Sequence, residues 1–365
     1  MTLKRRQFLT AGALAASGAA SRASPALAQT QPAVQWRLTS SFPKSLDILF
    51  GTAQIFANYV AEATDNTFQI QVFPAGEIAP GLQALDTVTS GAVECAHTPA
   101  GFYIAKDPVL GFGGGLPFGL SQRQQQAWWT QGGGAGVVNE ALKKFNAFAL
   151  PMGSGGTQVG GWFRKEITTT EDFNGIKVLM GGMGGHVLAR LGALPQQVNR
   201  QEIVGAFESG ALDAVSFASP YDDQKLGLAR VAKFYHTPGW WDSSTTLQLM
   251  VNLDAWAKLP KTYQAIVQHA SEAAHAWMLA KYDTLNPPAL KRLAAGGTVV
   301  KPFPVAVLEA GMKAAGEHYA ELAGQNPLFK KALEQMTAFR AEQSVWLQAS
   351  DYAMDTFMLA PRSKG

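Results

Sequence analysis

The sequence has very little cysteine: Cys95 is the single cysteine among 365 residues. One cysteine cannot form an internal disulfide, even in an oxidising compartment. Cys95 lies in the apolar, strand-like segment 93–97, and this setting predicts a buried structural thiol. The fold must therefore be held together by its core, for which an apolar fraction of 47% is ample.

Catalytic and cofactor motifs are also missing. No G-x-S-x-G, H-E-x-x-H or P-loop pattern occurs. The six histidines show no tight metal-ligand spacing; His269 and His275, for example, are six residues apart and do not share a helix face. Glycine runs at 111–115, 132–134 and 181–185 lack the lysine and spacing of a phosphate loop, so we interpret them as flexible turns.

A basic excess is confined to the N-terminal segment. Residues 1–28 combine a basic start, a short apolar run and the small-x-small site Ala26-Leu27-Ala28, which predicts an export signal. Arg5-Arg6 followed by Gln7-Phe8-Leu9 favours the twin-arginine type, with an ordinary secretory signal as the alternative. We therefore expect a soluble periplasmic protein.

Removing that segment removes four positive charges and no acid, so the formal charge changes from +3 to −1. The mature chain then has no basic excess for binding nucleic acid or an anionic membrane. No later segment is long and apolar enough to cross a bilayer. Both classes of partner are excluded from the expected function.

Strand and helix signals alternate along the mature chain. The alternating segment 67–73 predicts a half-buried strand, and segments 35–39 and 92–98 predict strands on either side of helices. This order predicts a largely parallel sheet covered by helices. A second series follows Pro151, and the chain then returns towards the first unit through 246–251. Beyond Pro260 it is mostly helical.

These signals predict an α/β protein with two lobes, hinge-crossing strands and long C-terminal helices, which closes on a ligand by rotation about the crossing segments. The expected divisions are an export signal at 1–28, lobe 1 at 29–152, lobe 2 at 153–242, a crossing back to lobe 1 at 243–260, and a helical C-terminal region at 261–365.

Seven stretches resemble the extracytoplasmic solute-binding proteins of TRAP transporters, and most closely their 2-oxo-acid-binding branch. They are WRLTSSFPKSLD (36–47), FQIQVFPAGEIAPGLQALDTV (68–88), VECAHT (93–98), QVGGWFRKEI (158–167), GALPQQV (192–198), SPYDDQKLG (219–227) and PGWW (238–241). The resemblance implies a protein that captures a small organic acid and delivers it to TRAP membrane permease subunits. It also implies a homodimer joined through C-terminal helices, and in some members a metal ion beside the ligand carboxylate.

The resemblance also places the site, and three positions depart from the usual pattern. The carboxylate-binding arginine is replaced by Leu179, and the acid and tryptophan of the next strand are replaced by Ser216 and Phe217. Gln158 is retained, and Asp242 stands where an acid is expected. The expected ligand-binding residues are Tyr103, Gln158, Leu179, Ser216, Phe217, Tyr221, Trp240 and Asp242; Trp241 also lies in a matching stretch.

Loss of the arginine removes charge-assisted hydrogen bonds worth roughly 1.5–3 kcal/mol. Loss of the acid removes a hard oxygen ligand, so we expect no cofactor and disfavour bound sodium or calcium, with Gln158 and Asp242 as weak metal candidates. The predicted ligand is bulkier and more apolar than pyruvate, and its body lies against Leu179 and Phe217.

Three alternatives stay open. A 2-oxo or 2-hydroxy acid could be bound through Lys44, Arg164 or backbone amides instead. Twin-arginine export is also common among periplasmic oxidoreductases, although no cofactor motif is visible and the expectation is that the protein is not an enzyme. A sensory use, with a receptor kinase in place of a permease, cannot be separated from transport by the sequence.

Overall fold

The computed structural model describes residues 32–198 and 202–360, so the predicted export signal lies outside the described residues. The strands in this part of the chain are β1 (Val34–Ser40), β2 (Phe68–Phe73), β3 (Cys95–Thr98), β4 (Ala147–Gly156), β5 (Gly161–Phe163), β6 (Lys177–Leu179), β7 (Leu194–Gln196), β8 (Ala214–Val215), β9 (Phe234–Thr237), β10 (Thr245–Asn252) and β11 (Val299–Pro302).

The helices complete this α/β fold. They are α1 (Leu49–Ala63), α2 (Ala84–Thr89), α3 (Gln122–Thr130), α4 (Gly134–Leu142), α5 (Gly182–Arg190), α6 (Ile203–Glu208), α7 (Pro220–Leu226), α8 (Leu253–Ala257), α9 (Lys261–Ala295), α10 (Val305–Gln325), α11 (Pro327–Ala349) and α12 (Asp351–Leu359). None of the described helices is both long and apolar enough to span a membrane.

The first sheet has the strand order β2-β1-β3-β10-β4. In β2 the residues alternate between buried and exposed at its start, as the sequence pattern predicts. Strands β1 and β3 are parallel, but β10 is antiparallel to both β3 and β4. The sheet is therefore mixed rather than largely parallel, because β10 returns from a distant part of the chain and enters in the opposite direction. Cys95 in β3 is fully buried, which confirms its predicted structural setting.

The second sheet has the order β11-β9-β5-β8-β6-β7. Strands β8, β6 and β7 run parallel to one another, whereas β5 is antiparallel to both of its neighbours. Two mixed sheets with helices packed around them confirm the predicted α/β class.

Strands β4 and β10 pair along most of their length, from Ala147 opposite Asn252 to Gly156 opposite Thr245. The register is irregular between Thr245 and Gln248. Gly153 lies in this irregular region with a φ of +138°, and a Cβ there would lie 2.6 Å from the Met278 sulfur. Glycine is therefore required at this irregular part of the β4–β10 pair.

Helix α9 packs against β4, α1 and α7, so it contacts elements beside both sheets. It is 35 residues long and contains Pro287 and Pro288. Its buried residues include Met278 and Tyr282, which join a cluster with Phe42 and Leu247. This long helix supports the paired strands from behind.

The glycine-rich stretch after β6 is mostly helical, which corrects its interpretation as a flexible turn. Helix α5 begins at Gly182, so three of the four glycines at 181–185 are helical. Gly182 has a φ of +62°, a left-handed conformation that favours glycine. The glycines thus let the chain turn directly from strand β6 into a helix.

Candidate functional site

Leu179 and Ser216 lie at one edge of the second sheet. Strands β6 and β8 are parallel, with Leu179 opposite Val215, so both strands end at the same edge. The backbone N–H of Ser216 donates to the Leu179 carbonyl at 3.3 Å. The sheet therefore brings together two of the three positions at which the sequence departs from the usual pattern.

The Ser216 hydroxyl is already in use. It accepts a hydrogen bond of 2.9 Å from Nε1 of Trp241, whose side chain is 1% exposed. Trp241 packs edge-on against Trp240, with ring centroids 4.8 Å apart. The two tryptophans are buried, so they help to form the wall behind the site, and Ser216 orients one of them.

Leu179 and Phe217 pack against one buried cluster of the second sheet, which includes Trp162 and Phe207. Phe217 also packs against the cluster of Phe42, Leu247, Met278 and Tyr282. Its ring therefore bridges two apolar clusters that belong to different parts of the fold. Leu179 and Phe217 make this edge of the sheet apolar, and we call these two residues the apolar wall.

A polar region lies around Gly155, at the end of β4. Nε2 of Gln158 donates to the Gly155 carbonyl at 3.0 Å, and a Cβ on Gly155 would lie 3.3 Å from Cβ of Thr245. The Thr245 hydroxyl donates to Oδ2 of Asp242 at 2.6 Å. Gln158 and Thr245 thus both lie beside Gly155, and Thr245 is bonded to Asp242.

Two buried oxygen atoms in this polar region have no hydrogen-bond partner within the described residues: Oε1 of Gln158 and Oδ1 of Asp242. A buried acceptor without a partner costs free energy, so its retention calls for an explanation. Gly115 faces Asp242 closely, because a Cβ there would lie 3.2 Å from Oδ1. We call Gln158, Thr245 and Asp242 the polar wall.

Burial also changes the acidity of the polar wall. Asp242 as a whole is half-buried, but Oδ1 has no access to solvent. Burial raises the pKa of Asp242 to about 6, although hydrogen bonds from Thr245 and the Ser244 backbone act in the opposite direction. The carboxylate is therefore short of positive charge or donors around it.

Trp240 contributes a third unpaired polar atom. Its side chain is 4% exposed and stacks on Phe118 with ring centroids 5.1 Å apart. Nε1 of Trp240 is buried and has no partner among the described residues. Trp128 and Trp129 lie in α3 and are 0% and 5% exposed; Nε1 of Trp128 also lacks a partner among the described residues.

The hydroxyls of the two tyrosines are bound elsewhere. Tyr103 bonds through its hydroxyl to Oγ1 of Thr98 at 2.8 Å and accepts from the Leu85 N–H at 3.3 Å. Tyr221 donates to Oδ2 of Asp47 at 3.0 Å. The structure thus leaves neither hydroxyl beside the polar wall, and their assignment to the ligand stays a prediction.

Neither alternative cation replaces the missing arginine. Lys44 is largely exposed and pairs with Glu77. Arg164 donates to the Leu212 carbonyl and pairs with Asp213, just before β8 begins. Because Leu179 and Ser216 lie at the ends of their strands, Arg164 lies at the opposite edge of the sheet.

Sequence reasoning missed Thr245. It is the first residue of β10, three residues after Asp242, and its hydroxyl bonds the Asp242 carboxylate. No group of three or more His, Cys, Asp or Glu side chains in the described ranges is arranged to hold a metal ion.

Comparison with known proteins gives consistent matches. The profile of bacterial extracellular solute-binding proteins, family 7 (DctP), matches residues 39–326. A monocarboxylate 2-oxoacid-binding periplasmic protein from a Nostoc species is 42% identical over 97% of this chain and 99% of its own.

Two solved structures share the fold. A TRAP transporter solute-binding protein from Bordetella bronchiseptica is 42% identical, with a TM-score of 0.87 over 90% of this chain and 97% of that one; it is a dimer with copurified calcium and picolinate. A protein from Pseudoalteromonas atlantica is 31% identical, with a TM-score of 0.85 over 88% and 98%, and binds sodium and pyruvate.

These structures contradict one expectation from the sequence. Replacement of the acid by Ser216 suggested that sodium or calcium is disfavoured and that no cofactor is present. The relatives hold calcium or sodium together with their ligands, so that expectation is wrong. Loss of one carboxylate ligand does not abolish a cation site, because sodium and calcium also accept carbonyl, amide, hydroxyl, water and solute oxygens.

Proposed function

Because the chain belongs to the DctP family of bacterial extracellular solute-binding proteins, we propose that it captures a small carboxylic acid with an aromatic or other apolar body. Members of this family are receptors for small organic solutes and work with TRAP permease subunits. One observation carries the proposal: the apolar wall of Leu179 and Phe217 occupies the sheet edge where an arginine and a tryptophan were expected.

The apolar wall favours a hydrophobic ligand body for a simple reason. An aliphatic side chain cannot pair with a carboxylate, but it gains roughly 25 cal/mol for each Å² of apolar surface that leaves water. A ring lying against Leu179 and Phe217 gains this energy, and pyruvate gains little of it. Picolinate, an aromatic carboxylate, is the ligand of the Bordetella relative, which supports this class.

A cation beside the ligand is the second part of the proposal. Oε1 of Gln158 and Oδ1 of Asp242 are hard oxygen donors without partners, as sodium and calcium prefer. Gln158 and Asp242 would hold the ion, with the Ser216 hydroxyl available only in competition with Trp241. When bound, the ion supplies the positive charge that the absent arginine would give to a carboxylate.

A 2-oxo or 2-hydroxy monocarboxylate is the second candidate, favoured by the binding activity named for the Nostoc relative. On this alternative the cation alone would hold the carboxylate, because Lys44 and Arg164 are engaged elsewhere. The two candidates share the polar wall and differ in how much they use the apolar wall.

The export signal, the division into lobes and the transport role are further parts of the proposal. We infer export by a twin-arginine signal at 1–28, lobes at 29–152 and 153–242, a crossing segment at 243–260 and a helical region at 261–365. Closure of the lobes would trap the solute, and the closed form would deliver it to a TRAP permease. This transport role is preferred to a sensory one because the matching relatives are transport receptors.

A homodimer through the C-terminal helices is the last part of the proposal. Helices α11 and α12 expose large apolar side chains, including Trp346 at 57%, Tyr352 at 67% and Leu359 at 82%. Exposed apolar patches of this kind commonly mark an interface. The Bordetella relative is a dimer, which supports a second copy as the partner. Light scattering of the wild type should therefore give twice the mass of one chain. The variant Trp346→Glu should give the mass of a single chain.

Isothermal titration of the mature protein tests the ligand proposal. Chelator-treated protein is titrated with picolinate and with pyruvate, each with and without calcium or sodium. We expect calcium-dependent binding of both acids, with picolinate at least about tenfold tighter because its ring uses the apolar wall. Tighter binding of pyruvate would refute the apolar-body proposal, and equally strong binding in buffer free of both calcium and sodium would refute the cation.

A further inference from the structure

Three side chains form a contact between the two parts of the fold, away from both walls. Asp47 lies just before α1, beside the first sheet, and α7 follows strand β8 of the second sheet. The Tyr221 hydroxyl donates to Oδ2 of Asp47 at 3.0 Å, and the Lys225 ammonium pairs with Oδ1. The Lys225 ammonium also lies 4.4 Å from the centroid of the Tyr221 ring.

Helix α7 holds its side of this contact rigidly. Asp222 accepts from the Tyr282 hydroxyl of α9 at 2.6 Å. Asp223 accepts from Nε1 of Trp162 at 3.0 Å and from the Tyr235 hydroxyl at 2.6 Å. Because α7 is fixed to both the second sheet and α9, Tyr221 and Lys225 are presented in a set position.

The Asp47 side is also anchored. Its neighbours Leu46 and Ile48 are 3% and 1% exposed, and the Asp47 carbonyl accepts the N–H of Gly51 in the first turn of α1. Burial alone would raise its pKa, but hydrogen bonds from Lys225 and Tyr221 hold the pKa of Asp47 below its usual value. The carboxylate is therefore charged at neutral pH and attracts Lys225.

We propose that Asp47, Tyr221 and Lys225 form a latch that stabilises the closed arrangement of the two lobes and so sets the affinity for every ligand. The inference rests on the proposed lobe closure, and it does not depend on the ligand class. The three residues act as positioning residues, since the described structure shows no hydrogen bond from them to Gln158, Leu179, Ser216 or Asp242. A ligand that keeps the lobes closed benefits from the latch whatever its chemistry.

The test compares Asp47→Asn with the wild type in titrations against picolinate and pyruvate, with calcium present. We expect Kd to rise about three- to tenfold for both acids, because an exposed ion pair and one charge-assisted bond are weakened. The ratio of the two Kd values should stay constant, and stopped flow should place the change in the dissociation rate. The charge swap of Asp47→Lys with Lys225→Asp should restore part of the affinity.

The matched control is Glu77→Gln, which removes the exposed ion pair with Lys44 inside the first part of the fold. It should leave both Kd values unchanged. Melting temperatures of all variants show whether a change in affinity comes from the lost contact or from a destabilised fold. Unchanged affinity and dissociation rate in folded Asp47→Asn would overturn the latch, and so would a change in affinity for one acid only.

A second readout does not need a known ligand. Spin labels on cysteines introduced at Glu62 in α1 and Glu208 in α6, both exposed, report the distance between the lobes. The native Cys95 is fully buried and does not interfere. In ligand-free protein, Asp47→Asn should shift the distribution towards longer distances than in the wild type. If neither acid binds, the proposed ligand class fails, and an identical distance distribution in the variant still refutes the latch.

Discussion

The apolar wall and the polar wall differ in how completely they are satisfied within the protein. Leu179 and Phe217 already pack against buried clusters, so they need no partner. The polar wall is incomplete: Gln158 and Asp242 each keep one buried oxygen without a donor. The apolar wall is thus satisfied without a ligand, whereas the polar wall keeps two oxygen atoms that could accept hydrogen bonds or bind an ion.

This difference separates two properties that the usual arginine combines. An arginine supplies both charge and shape, because its guanidinium pairs with a carboxylate in a fixed geometry. Here, in our proposal, the polar wall and its cation supply charge, and the apolar wall supplies shape. Selectivity and affinity should therefore respond to different substitutions.

The largest effect should come from Leu179→Arg, which places a guanidinium at the end of β6. The new charge should strengthen pyruvate binding by roughly 1.5–3 kcal/mol and remove part of the surface that holds a ring. Because the two affinities move in opposite directions, the picolinate-to-pyruvate ratio should fall by about 100-fold or more. Titration with both acids measures it.

Leu179→Met is the matched control, because methionine keeps an apolar side chain of similar volume. It should retain the preference for picolinate. If the arginine variant kept the wild-type ratio, the apolar wall would have no part in selectivity.

Asp242→Asn should have the next largest effect, now on affinity rather than selectivity. It removes the charge from one proposed cation ligand, and a loss of roughly 1.5–3 kcal/mol corresponds to about ten- to 150-fold weaker binding of both acids in calcium. Calcium should also stop raising the melting temperature. Asp65→Asn, at an exposed position, should change neither quantity. Calcium-independent binding of equal strength in Asp242→Asn would contradict the cation site.

Much of the fold could be predicted from the sequence, because its signals are local. The alternating segment 67–73, for example, predicted strand β2, which spans Phe68–Phe73. Strand β4, Ala147–Gly156, was missed. Strand β4 contains Pro151 and three glycines, which are unfavourable in strands, and its long-range pairing with β10 overrides that local preference.

The candidate site was predictable only in part. The resemblance placed Leu179, Ser216 and Trp241, which the sheet edge brings together. The unpaired oxygens of Gln158 and Asp242 depend on where their neighbours' donors point, which no local pattern encodes. The same limit applies to Tyr221, since its bond to Asp47 joins residues 174 positions apart.

Ser216→Ala should affect binding less than either substitution above, because the hydroxyl already serves Trp241. Its loss leaves a buried N–H without an acceptor, which costs about 1–3 kcal/mol of folding stability. Denaturant unfolding should show this loss, while affinity changes by about threefold or less. Ser90→Ala, at an exposed hydroxyl, is the control and should be neutral. A much larger loss of affinity would mean that Ser216 contacts the ligand or its ion directly.

The smallest effect on binding should come from Asp223→Asn, which tests whether an unpaired buried oxygen by itself indicates a ligand. Oδ1 of Asp223 also lacks a partner, but Oδ2 accepts from Trp162 and Tyr235 inside the second sheet. Burial raises the pKa of Asp223 from 3.8 to about 7, despite those hydrogen bonds. The Asp223 carboxyl can therefore keep a proton and stay neutral while buried, without a bound ion.

The consequence is a dependence of stability on pH. Since the folded pKa is higher than the unfolded one, the folded state holds an extra proton between pH 4 and pH 7, and stability falls as pH rises through that window. The contribution is at most about 1.4 kcal/mol per pH unit. Burial lowers the pKa values of three histidines, His97, His236 and His275, to about 4, so these groups make stability rise with pH. The contribution of Asp223 must therefore be measured as the difference in unfolding free energy between Asp223→Asn and the wild type. Relative to the wild type, the variant should gain stability from pH 5 to pH 8, and it should bind picolinate normally. If its calcium-dependent affinity were weakened, Asp223 would also serve the site, and the contrast between Asp223 and Asp242 would be false.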